Sequence, residues 1–381
     1  MTVRKAGIDA GNNNLKIAVK GKQPFMIPAI YQLYLGEAAS SMETERVSPE
    51  EIRDNIDITI NSKALPKNNQ RYVVGRLGSE MEENSDKSQD DMPVILTLAG
   101  LVVDALEDNP DKDRVEVNYD IGLNLPVSTI SKETAKQYAE KFMGTHEVIF
   151  HHPNGEDVTV VIKVEYSRCL PEAASGAWGL VFDENGKPLK RTISIEDEEK
   201  SVELADMDII HADIGAGTTE LVVTKGVKYN SSLSRALYYG SKQTINKVRE
   251  KWNQQAKPNK RINSVSDFNR IYMDPEHPRH NKLVSFSQDD FNQLANSLST
   301  EIINVIDSVE DDPLIVIYGG GSIAVKETLR NILEKKERME QVVFLQDPLF
   351  VNAKGLLVYT CSPRFEELKE KELGVKNNAE E

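Results

Sequence analysis

The amino-acid sequence predicts an α/β protein built from two related domains, and three observations carry that prediction. The segment Asp9-Ala10-Gly11-Asn12-Asn13-Asn14 is echoed in the second half of the chain by Asp213-Ile214-Gly215-Ala216-Gly217-Thr218. Each copy is entered by a short strand (residues 3–8 and 207–212) and left by another (15–19 and 221–223), so each reads as a β-hairpin with a polar tip. Apolar runs of strand length and of helix length alternate along the chain, and its 381 residues allow two or three domains at roughly 100–200 residues each. The separation of the two hairpins is far longer than the ~20–50-residue period of a solenoid, so the echo points to paired domains.

Taken in order, the first hairpin is followed by a polar stretch, residues 40–91, and then by an apolar window, 92–106, that reads as a buried helix. A strand at 118–125, a helix at 132–142 and strands at 146–150 and 158–165 come next. Residues 171–178 resemble a helix start, because Pro171 pre-sets the backbone of a first turn and Glu172 then sits where the helix dipole favours an acid. The acidic run 196–208 reads as a solvated connector. After the second hairpin come a helix at 240–252, a polar, proline-dotted loop at 257–280 and a helix at 289–309. The strand 314–318 runs into Gly319-Gly320-Gly321-Ser322 and a helix reaching 339, then a strand at 342–346. A closing helix over 348–355 and a charged end over 366–381, read as a frayed helix and a solvated tail, complete the reading.

Composition narrows the function. The chain has 46 Lys+Arg against 61 Asp+Glu, a net charge of −15, which excludes a basic nucleic-acid binder and predicts no direct DNA binding. A hydrophobic content of 39% supplies real cores and excludes a disordered tail protein. Cys169 and Cys361 are too few for a disulfide framework or a cysteine metal site, which suits a reducing, cytoplasmic setting. The N-terminus enters a strand at once, without signal peptide or amphipathic membrane anchor, and the window 92–106, interrupted by Pro93, Thr97 and Asp104, is short of the ~20 residues of a membrane span. His151-His152 and His277-Pro278-Arg279-His280 read as surface-loop histidines.

Three glycine-bearing turns at strand ends can carry chemistry. Such turns let backbone amides approach phosphate oxygens, and Asn and Thr side chains add donors. The residues concerned are Gly11, Asn12, Asn13 and Asn14 in the first turn and Gly215, Ala216, Gly217, Thr218 and Thr219 in the second. Asp9 and Asp213 end the entering strands, where a carboxylate can hold the water shell of Mg2+. Lys16, on the strand leaving the first turn, could neutralise phosphate charge. One Asp-x-Gly turn alone is equally well ordinary turn chemistry; the pairing favours a polyphosphate clasped from two sides. The third turn, Gly319-Gly320-Gly321-Ser322-Ile323-Ala324, formally matches the dinucleotide fingerprint, but too few residues follow for two mononucleotide halves, and glycines that let an adenine and ribose lie against the backbone are the favoured alternative. A P-loop motif is absent from the sequence. Glu172 could orient a water for attack on a terminal phosphate, or be an ordinary first-turn acid.

These residues carry a resemblance. Ile8-Asp9-Ala10-Gly11-Asn12-Asn13-Asn14-Leu15-Lys16 and Asp213-Ile214-Gly215-Ala216-Gly217-Thr218-Thr219 resemble the two phosphate motifs of the actin/Hsp70/sugar-kinase superfamily, and Tyr318-Gly319-Gly320-Gly321-Ser322 its adenosine motif. Leu170-Pro171-Glu172-Ala173-Ala174-Ser175-Gly176 and Phe350-Val351-Asn352-Ala353-Lys354-Gly355 resemble the connecting motifs of the ParM/StbA bacterial actin-like plasmid-segregation ATPases. The resemblance implies an actin-like fold, two ribonuclease-H-like domains around a nucleotide cleft. The first would be residues 1–175 completed by 345–381, with an inserted subdomain near 30–91, and the second 176–344, with one near 229–300. It implies Mg2+ and ATP, or GTP, as cofactors, with Asp9 and Asp213 at the metal, Lys16 at the phosphates, Glu172 at the attacking water, and Gly319, Gly320, Gly321 and Ser322 behind the nucleoside. The Asn12-Asn13-Asn14 tip departs from relatives that carry Gly, Ser or Thr there.

The expected function is therefore an ATPase that polymerises with itself and segregates plasmid DNA through a separate DNA-binding adaptor on a centromere-like site. The competing classes are a small-molecule kinase on the same fold, a dinucleotide-binding enzyme, and an Hsp70-like regulator, which would need a substrate-binding region after the ATPase lobes.

Overall fold

The computed structural model describes residues 2–34, 46–77, 91–195, 198–310, 312–339 and 341–377, so parts of the polar stretch and of the acidic run, and the end of the tail, lie outside the described residues. The chain forms two compact units, Met1–Lys187 with Asn352–Glu381, and Pro188–Val351.

The first unit runs β1 (Val3–Ala10), β2 (Asn14–Val19), β3 (Phe25–Pro28), β4 (Tyr31–Leu33), β5 (Ile56–Asn61), β6 (Gln70–Val74), α1 (Met92–Glu107), β7 (Arg114–Leu125), α2 (Lys132–Phe142), β8 (Gly144–His151), β9 (Asp157–Pro171) and α3 (Ala174–Val181). The second contains β10 (Lys190–Ile195), β11 (Glu198–Glu203), β12 (Asp208–Ile214), β13 (Thr219–Lys225), β14 (Lys228–Leu237), α4 (Ser241–Gln255), α5 (Val265–Tyr272), α6 (His280–Ile306), β15 (Leu314–Tyr318), α7 (Ser322–Lys335) and β16 (Val342–Phe344). Helices α8 (Val351–Thr360) and α9 (Pro363–Asn377) close the chain within the first unit.

The duplication read from the hairpins extends to whole sheets. The second unit's five strands lie in the order β14-β13-β12-β15-β16, and five of the first unit's nine lie in the order β3-β2-β1-β7-β9. In both, the first three strands are antiparallel and the last two join parallel to the central one. The first sheet continues through β8, β5, β6 and β4, so residues 56–74 of the polar stretch extend the sheet itself.

Helix α1 is buried from Met92 to Leu106, as its apolar composition predicts. Its one carboxylate inside the core, Asp104, is matched by charge: Arg4 and Lys22 each approach it to 2.6 Å, and the Tyr119 hydroxyl donates at 2.6 Å. Helix α8 lies against the sheet at two glycines that are neighbours in the β1–β7 register, Gly7 and Gly122. A Cβ on Gly7 would stand 2.1 Å from the Ala353 carbonyl, and one on Gly122 2.9 Å from that of Leu356. Gly355 faces the other way, where a Cβ would reach 2.1 Å from the Ser175 carbonyl of α3. Overpacking at such contacts costs about 1–3 kcal/mol.

Several sequence expectations are corrected. The helix start placed at Pro171 lies in strand: Leu125 of β7 holds Pro171 in register, the Glu172 amide donates to the Leu125 carbonyl at 2.7 Å, and α3 begins only at Ala174. Residues 198–203 of the acidic connector form β11, paired with β10. The loop at 257–280 contains α5, whose Val265, Phe268 and Ile271 are buried at helical spacing behind the Ser264 cap on the Asp267 amide. Helix α6 starts at His280, nine residues early, and α8 at Val351. The tail is helical through Asn377 and docked: Phe365 is buried edge-on to Tyr166 and Tyr359, and Lys369 pairs with buried Asp120 at 2.8 Å. His152 lies in the loop between β8 and β9 but is buried, not on the surface, and accepts from the Val47 amide at 3.1 Å.

Burial pushes the imidazoles of His146 and His152 below the ordinary value, and that of His211 down to about 3. The unfolded chain therefore binds more protons, so stability is complete above the ordinary histidine value of ~6.5 and is lost as pH falls below it. The urea midpoint should drop between about pH 7 and about pH 5, and substituting His211→Gln should flatten the slope. A midpoint constant over that range would contradict this.

Candidate functional site

The first hairpin places Asp9 in β1, an interior strand of its sheet, where residues 6–10 are all buried. Asp9 itself is 1% exposed. Its carboxylate is held on both oxygens: Lys16, opposite it in the β1–β2 register, donates from Nζ to Oδ2 at 3.1 Å, and Asn124 of β7 donates from Nδ2 to Oδ1 at 3.2 Å. The turn is closed by the Gly11 amide donating to the Asn14 carbonyl at 3.1 Å, and the Asn13 carbonyl accepts from Ala29 at 2.8 Å. Asn12 is the exposed residue of the tip.

The second hairpin repeats the geometry with different electrostatics. Asp213 is 7% exposed, and the residue opposite it is Glu220, also buried, where the first hairpin has Lys16. The Gly215 amide donates to the Thr218 carbonyl at 3.0 Å, matching the Gly11 turn. The tip is fastened to the start of α4, because Ser241 and Lys242 donate to the Gly215 and Ala216 carbonyls at 3.1 and 2.9 Å. Gln243 adds a bond from Nε2 to the Gly217 carbonyl at 3.2 Å. Thr219 is buried and its hydroxyl donates to the Tyr239 carbonyl, so it packs the hairpin instead of facing outward.

The third turn sits on the second hairpin, and that contact explains two of its three glycines. Gly319 has φ +87°, and a Cβ there would stand 2.4 Å from Asp213 Oδ1. Gly321 donates to the Ile214 carbonyl at 2.8 Å and has no room for a side chain beside Ile214. Ser322 is buried, its hydroxyl donating to the Gly319 carbonyl at 2.8 Å. Gly320 alone is exposed, and a Cβ would meet nothing nearer than Leu349 at 3.7 Å. The fingerprint reading fails on the sheet, because β12, β13 and β14 run antiparallel where a dinucleotide fold is mostly parallel.

Glu172 follows β9 directly and precedes Ala173, whose φ of +64° is the left-handed geometry uncommon for a residue with a side chain. Burial first, then the charges of Cys169, Glu172 and Asp9, hold the Tyr138 phenol well above its ordinary value, which puts Glu172 and Asp9 in the field of one buried ring. The connecting motif that includes Asn352 comes to the same place: Ser175 Oγ donates to Asn352 Oδ1 at 3.3 Å.

Asn124, Glu220 and Gln243 are the site neighbours that sequence reading missed. A single polar residue near the end of an apolar strand, as in Gly122-Leu123-Asn124-Leu125, is the signal that marks Asn124. Glu220 is marked by an acid heading the apolar run Leu221-Val222-Val223.

Gly319 and Gly320 should separate on substitution. Gly319→Ala combines a left-handed backbone with a clash at Asp213 and should cost about 1–3 kcal/mol by urea denaturation, whereas Gly320→Ala should stay within about 0.5 kcal/mol. Equal costs would refute the packing explanation.

Comparison with known proteins agrees with this geometry. Residues 7–174 match the family model described as actin-like proteins, N-terminal domain. The crystal structure of the actin-like protein Alp7A superposes with a TM-score of 0.76 at 18% identity, covering 97% of this chain and 99% of that one. Bacillus thuringiensis ParM with ATP gives 0.69 at 17% identity over 97% and 100%, and apo pSK41 ParM 0.62 at 14% over 97% and 100%. No curated protein sequence gives a significant match. Residues 7–174 thus match the N-terminal domain of actin-like proteins, and the chain as a whole has the actin-like fold.

Proposed function

We propose that the chain is an actin-like ATPase that assembles into nucleotide-dependent filaments and serves plasmid segregation through a separate DNA-binding adaptor. The observation that carries this reading is the repeated hairpin: a buried aspartate near the end of a strand, followed by a glycine turn closed by the same backbone bond, in two sheets that share a five-strand order. Similar folds have been solved as Bacillus thuringiensis ParM with ATP, with AMPPNP and with ADP, which supports a nucleotide as ligand.

The donor set fits hydrated Mg2+, which takes oxygen ligands. Asp213, facing a second buried carboxylate, is the stronger candidate to hold it, while Asp9 is already matched by Lys16 and Asn124 and would meet its water shell. Bound Mg2+ supplies charge neutralisation on the polyphosphate. The chain's own residues do the rest: the turns at 11–14 and 215–218 present backbone amides to phosphate oxygens, and Lys16 orients Asp9. Gly320 offers the nucleoside an open backbone face. Glu172 orients the attacking water and accepts its proton.

Light scattering at micromolar protein with ATP or GTP and Mg2+ tests the reading. A folded chain that binds nucleotide but stays dispersed would favour the small-molecule kinase. Asp213→Ala should abolish Mg2+-supported hydrolysis, and wild-type turnover in that variant would reject its role. Glu172→Ala should bind and assemble yet hydrolyse about 100- to 10,000-fold more slowly, giving long-lived filaments. Lost affinity with normal turnover of bound ATP would make Glu172 a structural residue.

A further inference from the structure

The acidic net charge conceals a basic face in the second unit. Residues 242–262 carry seven Lys or Arg and one Glu, a net +6, which leaves −21 on the rest of the chain. Lys247 and Lys251 are matched by the buried carboxylate of Asp290 on α6, at 3.0 and 2.8 Å. The others are held differently. The Lys260 carbonyl accepts from Trp252 Nε1 at 3.0 Å and from Arg279 at 3.1 Å, Lys282 Nζ lies 5.4 Å from the centre of the Trp252 ring, and Arg249 donates to the Ile262 carbonyl at 3.3 Å. These bonds bring Arg249, Arg279, Lys282 and the segment that carries Lys257, Lys260 and Arg261 together around the end of α4 and the start of α6. Backbone carbonyls and an indole ring fix several of them, and among the described residues none of the six has an ion pair with a carboxylate. Lys257, Lys260, Arg261 and Lys282 are exposed. The acids nearby in sequence are Glu250, Asp267, Asp274 and Glu276, and Asp267 approaches Arg270 to 3.5 Å.

We propose that this basic face docks on an acidic surface of a second copy of the chain, an inference that deepens the filament reading and rests on it. The charge distribution chooses the partner. Two copies meeting basic face to basic face would repel, so the contact joins unlike surfaces, and a heterologous contact that does not close continues as a filament. A single-stranded nucleic acid is the poorer fit, because Trp252, Phe268 and Phe291 are spent on packing, and the test below separates duplex binding from self-assembly. Trp252 is 6% exposed, Phe268 1% and Phe291 3%, so the cations lack the aromatic platform on which single strands stack.

The test is the triple variant Lys257→Glu, Lys260→Glu, Arg261→Glu, all exposed positions, in the full chain with ATP. Native assembly should weaken from about 50 mM to about 500 mM salt as screening shortens. At low salt the variant should need about tenfold more protein to assemble, lose that salt dependence, and keep native nucleotide affinity. A zero-length carbodiimide cross-link should join Lys257 or Lys260 to a carboxylate of another copy. Native assembly by the variant, or the absence of this cross-link in assembled protein, would overturn the proposal. So would tight, salt-sensitive duplex binding that the triple variant loses while its assembly stays native. Salt-sensitive, cross-linked self-association without nucleotide would support the basic face while removing the filament ATPase reading, and a native chain that stays monomeric at every salt would overturn both.

Discussion

The first unit depends on one close approach of backbone to backbone. Gly7 and Gly122 lie side by side in the parallel β1–β7 pair, and α8 settles where their side chains would be. Gly355 on the same helix lets α3 come equally near. Each contact is within three residues of a site side chain: Asp9 follows Gly7 by two positions, Asn124 follows Gly122 by two, and Glu172 precedes Ser175 by three. The packing that joins chain-distant segments thereby also fixes the distances among Asp9, Asn124 and the turn after β9. Glycine is required here by volume, since any Cβ would overlap a carbonyl of the opposing helix.

The two sheets share an order and the two hairpins share a turn, yet their central carboxylates live in different fields. Asp9 accepts from Lys16 and Asn124, which pairs a buried anion in the sheet with a cation and an amide. Asp213 faces Glu220 and is crowded by Gly319, whose lack of a side chain leaves room for its carboxylate. The two hairpins thus repeat one topology with different charge patterns, a lysine opposite Asp9 and a glutamate opposite Asp213.

Local signals in this chain were faithful where one element decides its own conformation. Helix α2 occupies the residues expected of it, 132–142, and Ser131 closes a capping box with Thr134. The strands entering and leaving both hairpins were legible from alternation and glycine turns. The readings that failed are those in which a neighbour overrides the segment. Pro171 and Glu172 look like a helix start, but the ladder from β7 extends β9 through Pro171 and leaves Glu172 in the turn before α3. Residues 198–203 are too acidic to announce a strand, and pair with β10 nonetheless. The charged tail reads as solvent-facing until Asp120, buried in β7, claims Lys369.

The sequence by itself determined the paired hairpins, their strand-end aspartates, the buried helix and the resemblance to actin-like chains, because each is written in contiguous residues whose periodicity or turn chemistry is local. Only the tertiary structure decided which glycines are spent on packing and which one is open, that Lys16 and Asn124 hold Asp9, that Glu220 faces Asp213, and that the end of α4 and the start of α6 bring basic segments together. These depend on strand register and helix docking, where residues far apart in sequence meet, and the side-chain pattern of any single segment holds no record of its partner.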